Sequence, residues 1–311
     1  MITEIAFILA SLLLLFAGAE GLVRGSTSLA LRAGLSRLMV GLTIVAFGTS
    51  SPELVVSLKA ALANQGDISI GNVLGSNSFN IGIILGITAL LCPIPVKRQV
   101  IRQDAPIALG AALLLPLLLL NGSIGRAEGL LLTAGIVAYT WLTAVRGRNA
   151  EADDTEGSSL SISRHWLIDV AWILGGLTVL VLGSGLLVDH SVLLARTLGL
   201  SEAVIGLTVI AAGTSMPELA TSLVAAIRKQ PDIAVGNIIG SNIFNVLAIL
   251  GVAATVQPIH APGISMLDSM VVVVFSLLLL PMLYTGQKLH RIEGAALLAA
   301  YGGYLFMIWP R

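Results

Sequence analysis

Two stretches of this 311-residue chain place oxygen-bearing side chains inside runs that are otherwise apolar. Residues 41–58 read GLTIVAFGTSSPELVVSL and residues 206–223 read GLTVIAAGTSMPELATSL. Each holds one carboxylate, Glu53 or Glu218, directly after Pro52 or Pro217 and behind a Gly-Thr-Ser triplet. Further on, residues 71–80 read GNVLGSNSFN and residues 236–245 read GNIIGSNIFN. Carboxylates, hydroxyls, amides and backbone carbonyls are hard ligands, and an all-oxygen set selects Ca²⁺, Na⁺ or Mg²⁺ over zinc or copper. Ca²⁺ tolerates flexible geometry, whereas Mg²⁺ demands a tight octahedron and holds its water. Two carboxylates balance one divalent ion, or two monovalent ions with room for a third. That arithmetic permits exchange of one kind for the other at a shared site. His165, His190, His260 and His290 fall at or near the ends of apolar runs, and Cys92 is the only cysteine, so a soft-metal site and an intrachain disulfide are both excluded.

An ionisable group at membrane depth costs ~2.5–3.5 kcal/mol on insertion scales, so Glu53 and Glu218 need a reason to be there. A structural ion pair is the plain reason, but no basic residue lies in the apolar part of either stretch; Lys59 and Arg228 fall near its ends. Pro52 and Pro217 have no N–H, so the carbonyls of Gly48 and Gly213 lose their helical partners. The expected break lies one residue before each glutamate and delivers backbone oxygens beside it. Thr49, Glu53 and Ser57, and likewise Thr214, Glu218 and Ser222, share a face if their helix stays regular. Asn72, Ser76 and Asn80 form one stripe, and Asn237, Ser241 and Asn245 another. Ser57 and Ser222 serve equally well as ligands or as back-bonds to their own helix. Asn72 and Asn237 serve equally well as ligands or as interhelical packing bonds.

The elements that position these groups span a membrane. The chain is 56% hydrophobic and 11% charged, against about a quarter charged in a soluble domain. Its mean hydropathy is +0.95. Ten spans of roughly 20 residues fit a hydrocarbon core. They lie near 4–24, 37–63, 69–91, 104–121, 125–146, 166–188, 201–227, 233–256, 266–286 and 291–309. The first apolar run has no basic residue before it and reads as a span rather than a signal peptide. Alternating sides puts Lys59, Arg126, Arg196 and Arg311 on one face and the other thirteen of the 17 basic residues on the opposite face (17 − 4 = 13). The positive-inside rule places the thirteen in the cytoplasm, with both termini outside and the central loop inside.

The two stretches are a duplication at an offset of 165 (206 − 41 = 165), ungapped from 41 to 86, with more than half of the positions identical. The offset also carries Gly34-Leu35-Ser36 onto Gly199-Leu200-Ser201, Leu113–Pro116 onto Leu278–Pro281, and Arg126-Ala127-Glu128-Gly129 onto Arg291-Ile292-Glu293-Gly294. Each unit holds five spans, an odd number, so the halves enter the membrane from opposite sides. The expected fold is an all-α integral membrane protein. Its ten transmembrane helices form two inverted five-helix repeats, with helices 2 and 7 broken. The halves run 1–146 and 166–311, joined by a polar cytoplasmic linker at 147–165 whose Asp153-Asp154 pair reads as a solvated charge run. Glu20 with Arg24, and Glu128 and Glu293 at helix starts, read as structural, as do Asp104, Asp169, Glu202 and Asp268 near span ends.

GTSSPEL with GNVLGSNSFN, and GTSMPEL with GNIIGSNIFN, resemble the two alpha repeats of the calcium:cation antiporter superfamily, here residues 41–86 and 206–251. The resemblance is nearest to prokaryotic sodium/calcium exchangers and covers nearly the whole chain. It implies a Na⁺-driven Ca²⁺ antiporter of the inner membrane with four adjacent ion sites at the midplane. The implied ligands are the Ala46 carbonyl, Thr49, Ser50, Glu53, Ser76 and Asn80, with the Ala211 carbonyl, Thr214, Ser215, Glu218, Ser241 and Asn245. It also implies that long, oblique first and sixth helices slide across this core. Some family members carry Asp where this chain has Asn245, and the K⁺-dependent branch looks to depend on it, so K⁺ is not expected to be required. The partners implied are Ca²⁺, Na⁺ and the lipid bilayer, with no cofactor, nucleic acid or protein partner. Ca²⁺/H⁺ antiport is the nearest alternative, since glutamates titrate. A passive cation channel is a different class. A hydrolase using Ser50 or Ser215 lacks a His or Lys placed as base.

Overall fold

The computed structural model describes residues 2–149, 165–197, 209 and 211–308. Residues 150–164 of the linker, Glu202, the Gly199–Ser201 match and the start of the seventh span lie outside them. The helical segments are α1 (Ile2–Ala33), α2 (Arg37–Thr49), α3 (Ser51–Leu62), α4 (Gly66–Leu91), α5 (Val100–Asn121) and α6 (Arg126–Asn149) in the first half. The second half has α7 (Trp166–Thr197), α8 (Ala211–Thr214), α9 (Met216–Ile227), α10 (Pro231–Val256), α11 (Met266–Tyr284) and α12 (Arg291–Ile308). Among the described residues, seven helices are long and apolar enough to cross a membrane, or eight with α2 and α3 taken as one bent span. The other two expected spans correspond to α9, a shorter apolar helix, and to α12, whose 18 residues include Arg291 and Glu293.

Burial separates centre from periphery. The apolar windows of α4 and α10 are 78% and 83% buried, while those of α1 and α7 are 33% buried. The central pair therefore forms the heart of the bundle, and the outer pair turns leucines and phenylalanines outward, Leu13 and Phe16 among them. Side chains pack into two apolar clusters. The larger one joins α4, α5 and α6 to α10, α11 and α12. The smaller one gathers α1 and α7 with Val40, Val45, Val224 and Ala225. The outer helices approach closely because both present glycine: a Cβ on Gly176 would sit 2.6 Å from the Leu22 nitrogen, and one on Gly18 would sit 2.8 Å from the Gly176 carbonyl oxygen. Arg32 Nε meets Asp169 Oδ2 at 3.1 Å at one end of this pair, and His190 Nδ1 meets Glu4 Oε2 at 2.5 Å at the other.

Four two-residue strands show how the halves are related. β1 (Ile94–Pro95) pairs with β4 (Lys288–Leu289), and β2 (Ser123–Ile124) pairs with β3 (Ile259–His260). By the 165 offset β1 corresponds to β3 and β2 to β4, so each strand pairs with the mate of the other. α5 separates β1 from β2 by 22 residues, about 33 Å of helix. The β1–β4 and β2–β3 ribbons therefore lie at opposite ends of the bundle, and each strand lies opposite its own repeat mate. Local chemistry sets the remaining boundaries. Asn64 and Lys229, repeat mates, turn the chain between α3 and α4 and between α9 and α10 with φ of 57° and 58°. Glu128 and Glu293 accept the Gly125 and His290 N–H groups at helix starts, at 2.5 and 2.7 Å.

Candidate ion-binding site

Each half brings its glutamate in by breaking a helix. The chain leaves helical geometry at Ser50 (φ −79°, ψ 7°) and at Ser215 (φ −86°, ψ 6°). Pro52 and Pro217 then occupy the first turn of α3 and α9, where a missing N–H costs nothing. α2 and α3 meet at 46°. Thr49, Glu53 and Ser57 therefore do not share one regular helix face. The break instead turns the serine of one half onto the carboxylate of the other. Ser50 Oγ donates to Glu218 Oε1 at 2.8 Å, and Ser215 Oγ donates to Glu53 Oε1 at 2.9 Å. Both glutamates have no exposed surface. Among the described residues neither forms an ion pair.

Asn72 and Asn237 hold this brace in place. Asn72 Nδ2 donates to the Glu53 carbonyl at 3.2 Å and to Ser57 Oγ at 2.9 Å; Asn237 Nδ2 donates to the Glu218 carbonyl at 3.3 Å and to Ser222 Oγ at 2.9 Å. Their amide oxygens reach across the halves, Asn237 Oδ1 accepting from Thr49 at 3.0 Å and Asn72 Oδ1 from Thr214 at 3.4 Å. Ser57 and Ser222 donate not to their own helix but to the Ser69 and Ala234 carbonyls of the next, at 3.2 and 3.5 Å. Asn72 and Asn237 thus serve as interhelical packing bonds, and Ser57 and Ser222 bond the next helix rather than back-bonding to their own.

The other polar side chains keep oxygens in reserve. Glu53 Oε2, Glu218 Oε2, Asn80 Oδ1, Asn245 Oδ1 and Ser76 Oγ are buried without a hydrogen-bond partner. Asn80 and Asn245 each begin a π-helical turn, Asn80–Leu85 and Asn245–Leu250, a feature frequent at functional sites. Their amide nitrogens are spent on residues that sequence reasoning passed over. Asn80 Nδ2 donates to Asn242 Oδ1 at 3.0 Å, and Asn245 Nδ2 donates to Asn77 Oδ1 at 2.9 Å. Each amide is therefore held with its oxygen free. The signal for Asn77 and Asn242 was present, since both belong to the duplicated Gly-Ser-Asn triplet. A buried oxygen lone pair without a donor is costly, and four of these five atoms can only accept. Among the described residues there is no group of three or more His, Cys, Asp or Glu, which leaves a carboxylate pair ringed by neutral oxygens.

The remaining predicted positions are also buried here. Ser241 Oγ lies 3.4 Å from Glu218 Oε1, while its mate Ser76 has no such bond. The Ala46 carbonyl accepts from the Ser50 N–H at 3.0 Å and lies 3.3 Å from Thr49 Oγ1; the Ala211 carbonyl accepts from the Ser215 N–H at 3.4 Å and lies 3.1 Å from Thr214 Oγ1. One expectation needs correction. The Gly213 carbonyl, released by Pro217, does not serve the carboxylate. Ser184 of α7 donates to it at 2.8 Å, because α7 packs directly against this break.

Comparison with known proteins identifies the family. The chain matches the sodium/calcium exchanger protein family over residues 3–145 and 168–309. It is 40% identical over 99% of its length to 99% of "Putative antiporter CaxA" of Alkalimonas amylolytica. It is 36% identical to "Inner membrane protein YrbG" of Escherichia coli, covering 83% of this chain and 81% of that one. The solved structure of the sodium-calcium exchanger NCX_Mj soaked with Na⁺ and Ca²⁺ superposes with a TM-score of 0.85 at 30% identity, covering 99% of both chains. The fold is that of NCX_Mj, with two family repeats in one all-helical, multi-pass membrane protein. A buried carboxylate pair, duplicated breaks and these matches together place the chain in the sodium/calcium exchanger family, whose members are cation exchangers rather than enzymes.

Proposed function

We propose that this chain is a secondary active transporter that exchanges Ca²⁺ for Na⁺ by alternating access. One observation carries the reading: the five unpartnered buried oxygens of Glu53, Glu218, Asn80, Asn245 and Ser76 belong to two carboxylates and neutral donors. Such a set matches one hard divalent ion or two to three monovalent ones. Ser241, the hydroxyls of Thr49, Ser50, Thr214 and Ser215, and the Ala46 and Ala211 carbonyls complete the coordination as ions enter. The likeness to the sodium-calcium exchanger NCX_Mj, solved after soaking with Na⁺ and Ca²⁺, supports the ion pair.

Ten spans in two inverted halves, 1–146 and 166–311, carry the transport. The exchange of strand partners between β1–β4 and β2–β3 supports the inversion. The excess of Lys and Arg on one face sets the central loop and the β1–β4 end in the cytoplasm and both termini outside, and the likeness to YrbG supports an inner-membrane location. With Asn rather than Asp at position 245, K⁺ is not required.

The test is radioactive Ca²⁺ uptake into Na⁺-loaded proteoliposomes, with and without an outward Na⁺ gradient, beside Glu53→Gln and Glu218→Gln. Uptake that needs the gradient and vanishes in both variants is the expected result. Uptake driven by a pH gradient and indifferent to Na⁺ replaces Na⁺ with H⁺ as counter-ion. Uptake that needs no counter-ion makes the protein a channel.

A further inference from the structure

The β1–β4 end of the bundle carries a second polar feature, remote from the glutamates. A cavity of about 150 Å³ opens between the start of α5 and the end of α11, lined by Arg98, Ile101, Arg102, Tyr284 and Gln287. That volume equals about five waters, enough for a phosphate group. Pairing of Pro95 with Lys288, and the Val96 N–H bond to the Gln287 carbonyl at 2.8 Å, fix its floor. Arg98 and Arg102 are exposed, and among the described residues no ion pair neutralises either. The neighbouring charges are already committed: Lys97 pairs with Asp232 at 3.1 Å, and Glu293 accepts from Thr285 and from the His290 N–H. Two arginines, a tyrosine and a glutamine thus line one opening, and among the described residues neither arginine has an ion-pair partner.

The duplication supplies an internal control. The positions matching Arg98, Arg102, Tyr284 and Gln287 at the 165 offset are Gly263, Leu267, Leu119 and Gly122. Those four matching positions at the opposite end of the bundle therefore carry no cation and no hydrogen-bonding side chain of their own. The backbone junction does not need charge at these positions, and the positive-inside bias asks only for charge on this face, not for its convergence on one cavity. Its depth is telling: Arg98 lies two residues before the apolar span Val100–Asn121, and Tyr284 closes the span Met266–Tyr284. Interfacial tyrosine beside basic residues is headgroup depth. Arginine matches phosphate oxygens bidentately.

We infer that the Arg98–Arg102–Tyr284 cavity binds a phosphoryl anion, supplied by the headgroup of an anionic phospholipid in the leaflet at that end. Native mass spectrometry of the full chain in detergent, titrated with phosphatidylglycerol or phosphatidylcholine, tests it. Phosphatidylglycerol is expected to be retained over phosphatidylcholine. Affinity falls about fivefold per charge removed, so by about 25-fold in the Arg98→Gln/Arg102→Gln variant. The Arg98→Lys/Arg102→Lys variant keeps the charge, retains most of the binding and serves if the glutamine variant does not fold. Inorganic phosphate added as competitor identifies the source. Failure to displace the lipid assigns the site to a headgroup, and full displacement assigns it to phosphoryl anions generally. Equal retention of the two lipids, or unchanged phosphatidylglycerol binding in a folded glutamine variant, overturns the inference.

Discussion

The two halves are near copies at the carboxylates and unlike at the periphery. At the centre the bonds to the carboxylates and the asparagine–serine bonds come in mates of nearly equal length: Ser50 to Glu218 at 2.8 Å and Ser215 to Glu53 at 2.9 Å, Asn72 to Ser57 and Asn237 to Ser222 both at 2.9 Å. Around it the matching fails. α1 is tied to the end of α9 by Glu20, which bonds Arg24 and also Arg228, at 3.0 Å to its Nε, and by a hydrogen bond from Thr27 to Gln230. The positions that match Glu20 and Arg228 are Gly185 and Ala63, which cannot form such a bridge. α7, for its part, touches both breaks. A Cβ on Gly48 would meet Leu177 Cδ2 at 2.4 Å, and one on Gly213 would meet Val188 Cγ2 at 2.4 Å. A two-fold symmetric protein would open or close both entrances together. An exchanger needs a symmetric site, presenting the same ligands to either side, inside an asymmetric surround that closes one side at a time.

The largest test of central symmetry is the carboxylate pair. Glu53→Gln and Glu218→Gln should each reduce Ca²⁺ uptake about 100-fold, the scale for truncating a buried charged partner. The two losses should be equal, and a wide gap between them in proteoliposome assays would break the equivalence of the halves. Next come the braces. Asn72→Ala and Asn237→Ala strand buried hydroxyls and should each lower stability by about 1–3 kcal/mol, read by thermal melting in detergent. Asn77→Ala and Asn242→Ala unpin Asn245 and Asn80 rather than remove them. Each should raise the Ca²⁺ concentration for half-maximal uptake about tenfold, the worth of one hydrogen bond of ~1.4 kcal/mol, beyond any drop in melting temperature from the stranded amide. The smallest effect sharpens the peripheral side of the comparison. Arg228 is half-exposed in its bridge to Glu20, and such bridges are worth at most about 1 kcal/mol. Arg228→Gln should shift the balance of open and closed forms by about fivefold at most. Thiol-labelling rates of Ala226→Cys in a Cys92→Ser background would report that shift, and no change would remove the bridge from the closing mechanism.

Much of this was legible in order along the chain. The duplicated GTSxPE and GNxxGSNxFN stretches locate the carboxylates and both breaks, because a missing proline N–H acts on its own turn of helix wherever it sits. Glu128 and Glu293 at helix starts were legible for the same reason. Other assignments were not. Asn72 and Asn80 lie on one stripe and have the same side chain, yet one amide is fully engaged and the other keeps its oxygen free. The role of Ser184 was likewise hidden, because its partner, the Gly213 carbonyl, is released by a proline far from it in sequence.

The sequence by itself determined what is local: apolar runs long enough to span, an offset of 165, two prolines beside two glutamates, and an oxygen-only set of side chains. The tertiary structure decided which of those oxygens remain unspent. That choice depends on contacts such as Ser50 with Glu218 and Asn80 with Asn242, which join residues more than 160 positions apart. Side-chain type sets how many hydrogen bonds a group can make, and only the neighbour brought to it by folding determines how many it has left for an ion.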